Sequence, residues 1–141
     1  MKPAFLKSAF LKVALAAALY FLATFSVGFL LGPIRLLLLE PRIGAVAATL
    51  CEAPLLLIAM AVAARWTPRL AGLTISPGGM LAVGIGALAL QQAADLLVGM
   101  LLRGLSAQQQ FARLATPEGA VYAALLALFA LMPALVNRAG R

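Results

Sequence analysis

The chain has no histidine and a single cysteine, Cys51. Without imidazoles the usual side-chain ligands for haem, copper and zinc are missing, and one thiol closes no internal disulfide. No metal and no cofactor is therefore expected. Acidic residues are also scarce, four Asp and Glu against eleven Lys and Arg, for a formal net charge of +7. Those basic residues are scattered singly between apolar runs instead of forming a patch, so nucleic acid is not an expected partner. The sequence lacks the dinucleotide-binding glycine fingerprint, the Walker lysine, the nucleophile elbow and the HExxH zinc motif. Gly84-Ile85-Gly86 lies inside an apolar run and reads as a packing feature.

What is present in excess is hydrophobic residue: 65% of 141 positions, with only 11% charged and a mean hydropathy of +1.07. Soluble domains average roughly 45–50% apolar, which places this chain among membrane proteins. A bilayer crossing takes about 20 residues, so four spans consume most of the length and leave room for one domain. The expected fold is an all-α membrane protein, a four-transmembrane-helix up-down bundle with short loops.

The spans are expected at about 13–31, 44–64, 79–102 and 117–136. Lys2, Lys7 and Lys12 before the first run resemble the basic start of a secretory signal, but the run is too long and no small-residue cleavage site follows. Gly32-Pro33 is expected to end the first span, because proline removes a donor and biases its predecessor away from helix. Ile34 to Arg42 then reads as a short interfacial or re-entrant turn. Arg65-Trp66 marks an interface at the end of the second span. Ser76-Pro77-Gly78-Gly79 supplies a turn before the third. Residues 104–115, with Gln108, Gln109, Gln110 and Arg113, are too polar to cross, and Thr116-Pro117-Glu118 supplies an N-cap, a first-turn proline and an acid at the positive helix end.

Basic residues set the orientation. Lys2, Lys7, Lys12, Arg65, Arg69, Arg138 and Arg141 fall on one side, and Arg35, Arg42, Arg103 and Arg113 on the other, together with Glu40 and Glu118. The bias places both termini in the cytoplasm of a multi-pass inner-membrane protein.

Two acids, Glu52 and Asp95, lie inside the second and third spans, and an ionisable group at membrane depth is a functional-site hypothesis by default. At 1.5 Å per residue, Glu52 sits roughly 3 Å and Asp95 roughly 7 Å outward of the midplane, with Gln91 and Gln92 near the centre. Gln91 and Gln92 stand four and three residues before Asp95, so either amide reaches its carboxyl. Small residues share these stripes: Gly84 and Ala87 with Gln91 and Asp95, and Ala45, Ala48 and Ala59 with Glu52. Such stripes let helices approach closely, and the two faces are expected to meet, directly or through the other helices. No basic residue shares the acids' depth; Arg35, Arg42 and Arg103 stand at the outer helix ends. The acids are then expected to be protonated, to share a proton, or to hold an external cation. Structural glue between helices is the competing role.

Lesser features have plainer readings. Phe21, Phe25 and Phe29 form a packing or lipid-facing stripe. Tyr20 and Tyr122 extend the polar interior, and Thr24 and Ser26 bond helix carbonyls. Pro54 disturbs the second helix around Leu50, and Cys51 is inert. Arg35, Glu40 and Arg42 form a possible vestibule or a surface ion pair.

Together these features point to a small transporter or channel handling a proton, cation or small solute through Glu52, Asp95, Gln91 and Gln92, assembled as a homo-oligomer with a dimer as first guess. The alternative is a non-catalytic accessory or assembly subunit of a larger membrane complex. Enzymatic action on lipid is disfavoured, since the acids lie too deep. Beyond a possible complex, the expected surroundings are the lipid bilayer.

Overall fold

The computed structural model describes residues 3–139, with side chains over residues 7–137. Lys2 and Arg141, and the side chain of Arg138, used above for orientation, lie outside this range. Helix α1 (Pro3–Ile34) passes through a π-helical turn (Arg35–Leu39) into the short α2 (Glu40–Ile43). Then follow α3 (Ala45–Leu70), α4 (Pro77–Leu102), the short α5 (Ala107–Ala112) with a single 3-10 turn (Arg113–Ala115), and α6 (Pro117–Ala139). Four stretches are long and apolar enough to cross a membrane: Lys7–Ile43, Ala45–Leu70, Pro77–Leu102 and Pro117–Asn137. The fold is an all-α bundle of four such helices.

Two boundaries differ from expectation. Gly32-Pro33 does not end the first helix, which continues to Ile43 and stops only at Gly44, where φ is +88°. Backbone groups in lipid have no water to bond, so helix is kept wherever hydrogen bonds can close. The widened turn does this here, with the Glu40 N–H donating to the Arg35 carbonyl. The expected re-entrant segment is therefore helical. In α3 the helix runs on past Arg65-Trp66 to Leu70, through Pro54 and Pro68. The Thr116 cap behaves as read, with the Gly119 N–H donating to Thr116 Oγ1 at 3.0 Å, and Ser76, read as part of a turn, caps α4 by accepting from the Gly79 N–H at 3.1 Å.

The long helix α1 packs against α3 and α4, and α6 packs against the same two, whereas the consecutive helices α3 and α4 lie diagonally across the bundle. Small residues allow the close crossings. A Cβ added to Gly84 of α4 would stand 1.7 Å from the carbonyl oxygen of Ala130 on α6. Around this crossing lies the buried apolar core of Ala16, Ala17, Tyr20, Met60, Ala64, Val83, Ala87 and Phe129. It fills the half of the bundle that holds the chain termini.

Prolines tie this half together. Proline carries no N–H, so the carbonyl four residues earlier loses its helical partner. Pro133 frees the Phe129 carbonyl, and the Tyr20 hydroxyl donates to it at 2.6 Å while the two rings stack with centroids 4.6 Å apart. Pro68 frees the Ala64 carbonyl, and Asn137 Nδ2 donates to it at 3.0 Å. Arg69 Nη1 in turn donates to Asn137 Oδ1 at 3.1 Å.

Candidate functional site

The opposite half of the bundle is hollow. A cavity of about 490 Å³ lies between α1, α3, α4, α5 and α6, and Glu52, Asp95, Gln91 and Gln92 all line it. The diagonal placement of α3 and α4 sets Glu52 and Asp95 on opposite walls, with α1 and α6 completing the enclosure. The stripes that carry these acids therefore meet through the neighbouring helices and not in direct contact.

Asp95 has its hydrogen bonds on both oxygens. Gln91 Nε2 donates to Oδ1 at 3.0 Å, the four-residue spacing foreseen from the sequence, and the Tyr122 hydroxyl donates to Oδ2. Among the described residues no cation lies within ion-pair distance of Asp95.

Glu52 differs. Its Oε2 lies 2.7 Å from Arg35 Nε, with the two side chains 9% and 17% exposed. The expectation that no basic residue reaches the acids is corrected here. The helix that was expected to break at Gly32-Pro33 continues, and the π turn that begins at Arg35 leaves its side chain on the cavity wall. The Arg35 Nε–H finds no hydrogen-bond acceptor, so this contact is one of charge and not a directed bond.

Arg35 is also the hub of a wider network. Its Nη1 pairs with Glu40 and stands 3.4 Å from Glu118 Oε1, which lies 3.4 Å from Arg113 Nη2. Of the suggested vestibule, Arg35 and Glu40 are thus joined, while Arg42 is exposed and enters no ion pair among the described residues. Arg103 lines the mouth of the cavity and likewise has no ion-pair partner among the described residues. Partial burial, then the guanidiniums of Arg113 and Arg35, push its pKa below the ordinary arginine value.

The polar segment 104–115 is built into the mouth. Ser106 and Gln109 form a reciprocal capping box that starts α5. Gln110 Nε2 then donates to the Leu96 carbonyl at 3.2 Å, folding α5 back over the end of α4. Gly99 makes room for this, since a Cβ there would sit 2.3 Å from Gln110 Oε1.

Arg113, Glu118 and Gln110 join the site without having been singled out for it, and Tyr122, read as part of the polar interior, joins it at Asp95. Tyr122 was within reach of the depth reasoning: it lies about 7 Å outward of the centre of its span, the height of Asp95. Of the lesser features, Thr24 and Ser26 fall as read, whereas Tyr20 lies in the buried apolar core and not on the cavity wall. Thr24 Oγ1 donates to the Tyr20 carbonyl at 2.8 Å and Ser26 Oγ to the Leu22 carbonyl at 2.7 Å. Phe21, Phe25 and Phe29 follow one another along α1 as tilted ring pairs with centroids 5.2 and 5.9 Å apart, and Phe25 and Phe29 also line the cavity. Cys51 is exposed. Comparison with protein-family models, with curated proteins and with solved structures finds no match.

Proposed function

We propose that this chain is a small polytopic transporter of the inner membrane that takes a cation, proton or small solute into the cavity bounded by Glu52 and Asp95. The observation that carries the reading is Asp95, a carboxylate hydrogen-bonded on both oxygens in the apolar half of a helix, lining a cavity with no resident counter-ion. A charge left uncompensated at membrane depth costs several kcal/mol on any scale, and an incoming cation or proton offsets that cost. Glue alone does not require a hollow beside the acid. Glu52, held by Arg35, serves as the fixed wall and Asp95 as the exchanging group, with Gln91 and Tyr122 orienting it.

Access comes from the end that bears Arg35, Arg103 and Glu118, and the Tyr20–Phe129 stack closes the other end. Both termini are assigned to the cytoplasm, so the open end faces outward. Four helices give one narrow cavity, and a homodimer is the assembly proposed to complete the path.

Reconstitution into liposomes tests this. A proton-sensitive dye inside the vesicles, with sodium or potassium gradients imposed in turn, is expected to report flux that Asp95→Asn reduces to the level of empty vesicles. The variant's elution volume in size-exclusion chromatography is expected to be unchanged. Flux equal in wild type and Asp95→Asn would remove Asp95 from the pathway.

A further inference from the structure

Only two charged side chains on the cavity wall lack an ion-pair partner among the described residues, Asp95 in the depth and Arg103 at the mouth. Arg35 and Arg113 are engaged with Glu52, Glu40 and Glu118. Asp95 and Arg103 belong to the same helix and its C-cap, eight residues apart in the sequence, which is about 12 Å along the axis. Apolar side chains, Leu96 and Leu102 on α4 and Phe29 and Leu36 from the first helix, share the wall with the mutually paired Arg35 and Glu52. A volume of about 490 Å³ falls within the roughly 300–1,000 Å³ typical of small-molecule sites.

We propose that the cavity binds an elongated dipolar solute, its cationic group on the Asp95 carboxylate, its anionic carboxylate or phosphate on the Arg103 guanidinium, and an apolar chain between. This rests on the transporter reading and names the substrate class of that site. Complementarity excludes the simpler alternatives. A plain organic cation passes the exposed Arg103 without a partner for it, and a plain organic anion meets Asp95 at depth, so each single-charge solute satisfies only one of the two groups. An α-amino acid carries both charges but is too short to bridge them.

Isothermal titration of the purified full chain in lipid nanodiscs, with empty nanodiscs subtracted, provides the test. Four probes suffice: ω-aminooctanoate, which bridges the span when extended, the single-charge analogues octanoate and octylamine, and glycine. The expected result is binding of ω-aminooctanoate, no binding of glycine, and at least about tenfold weaker binding of each single-charge analogue, a difference of about 1.4 kcal/mol. Asp95→Asn is expected to lower ω-aminooctanoate binding to the level of octanoate, Arg103→Gln to the level of octylamine, and Arg103→Lys to preserve it. Octanoate or octylamine binding as tightly as ω-aminooctanoate overturns the proposal, and that comparison needs only the wild-type protein, whatever the variants' folding. Asp95-dependent cation flux with no ω-aminooctanoate binding also overturns it and leaves the transporter reading standing. Binding with no flux of any probe keeps the ligand class and removes the transporter reading.

Discussion

Glu52 and Asp95 are the same kind of group at nearly the same height, yet their surroundings give them different work. Glu52 has a guanidinium at 2.7 Å, whereas Asp95 has two neutral donors and open cavity. Removing one member of a buried pair leaves the other uncompensated, while replacing both by apolar residues is often neutral. Glu52→Gln is therefore expected to lower stability by about 1–3 kcal/mol, with the lower part of that range favoured because Glu40 and Glu118 still face Arg35. Combining Glu52→Leu with Arg35→Met is expected to recover that loss; thermal unfolding in detergent reads both. If the pair is also a wall of the transport site, flux does not recover with stability. Tyr122→Phe is the matching probe of Asp95: it removes one donor, keeps the ring, and is expected to weaken ligand or cation binding without moving the unfolding temperature by more than a few degrees.

At this scale the sequence was informative where the contact lies within one helix. The Gln91–Asp95 bond follows from a spacing of four residues, as do the Thr24 and Ser26 bonds to their own helix. Arg35 was hidden for a physical reason. Its distance from Glu52 depends on whether the chain breaks or continues at Pro33, and a π turn five residues long is invisible to a pattern that counts in steps of 3.6. A continuing helix carries Arg35 to the cavity wall; a break would have left it at the interface.

Among the elements, prolines act as connectors. Each proline inside a helix releases one carbonyl, and in two cases a side chain from another helix accepts the offer: Tyr20 for Phe129 and Asn137 for Ala64. Tyr20→Phe is expected to cost about 1–2 kcal/mol, a buried bond lost with its acceptor left unpaired. In a Pro133→Ala background, where the backbone N–H of residue 133 can again reach Phe129, the same substitution is expected to cost clearly less. A double-mutant cycle on unfolding temperature measures the difference, and equal costs in the two backgrounds would refute the connector role. Gly84 tests the other device. Gly84→Val forces a side chain into the Ala130 carbonyl and is expected to destabilise the α4–α6 crossing by about 1–3 kcal/mol or more. Span number and caps could be read from residue type and period, but the diagonal pairing of α3 and α4 could not, because helix order in space depends on which small-residue stripes interlock and several arrangements satisfy the same stripes.

Across the whole molecule, packing is asymmetric. The half that holds the termini is packed with buried apolar side chains and tied by Tyr20, Phe129 and Asn137, and the other half encloses the cavity beneath α5. A hollow forfeits dispersion contacts along its lining, so a membrane protein this small keeps one at a cost to stability. The ion network of Arg35, Glu40, Glu118 and Arg113 joins α1, α2, the α5 segment and α6 at the mouth and holds that end in shape. One-sided access to the acid follows from this asymmetry, and it is the claim on which transport and ligand class both depend. A membrane-impermeant thiol reagent applied to Leu96→Cys in a Cys51→Ser background measures it directly. In sealed vesicles of known orientation, Leu96→Cys is expected to react when the reagent is on the α5 side and to stay unmodified when it is on the side of the termini. Reaction from the side of the termini, or from neither side, would contradict the account.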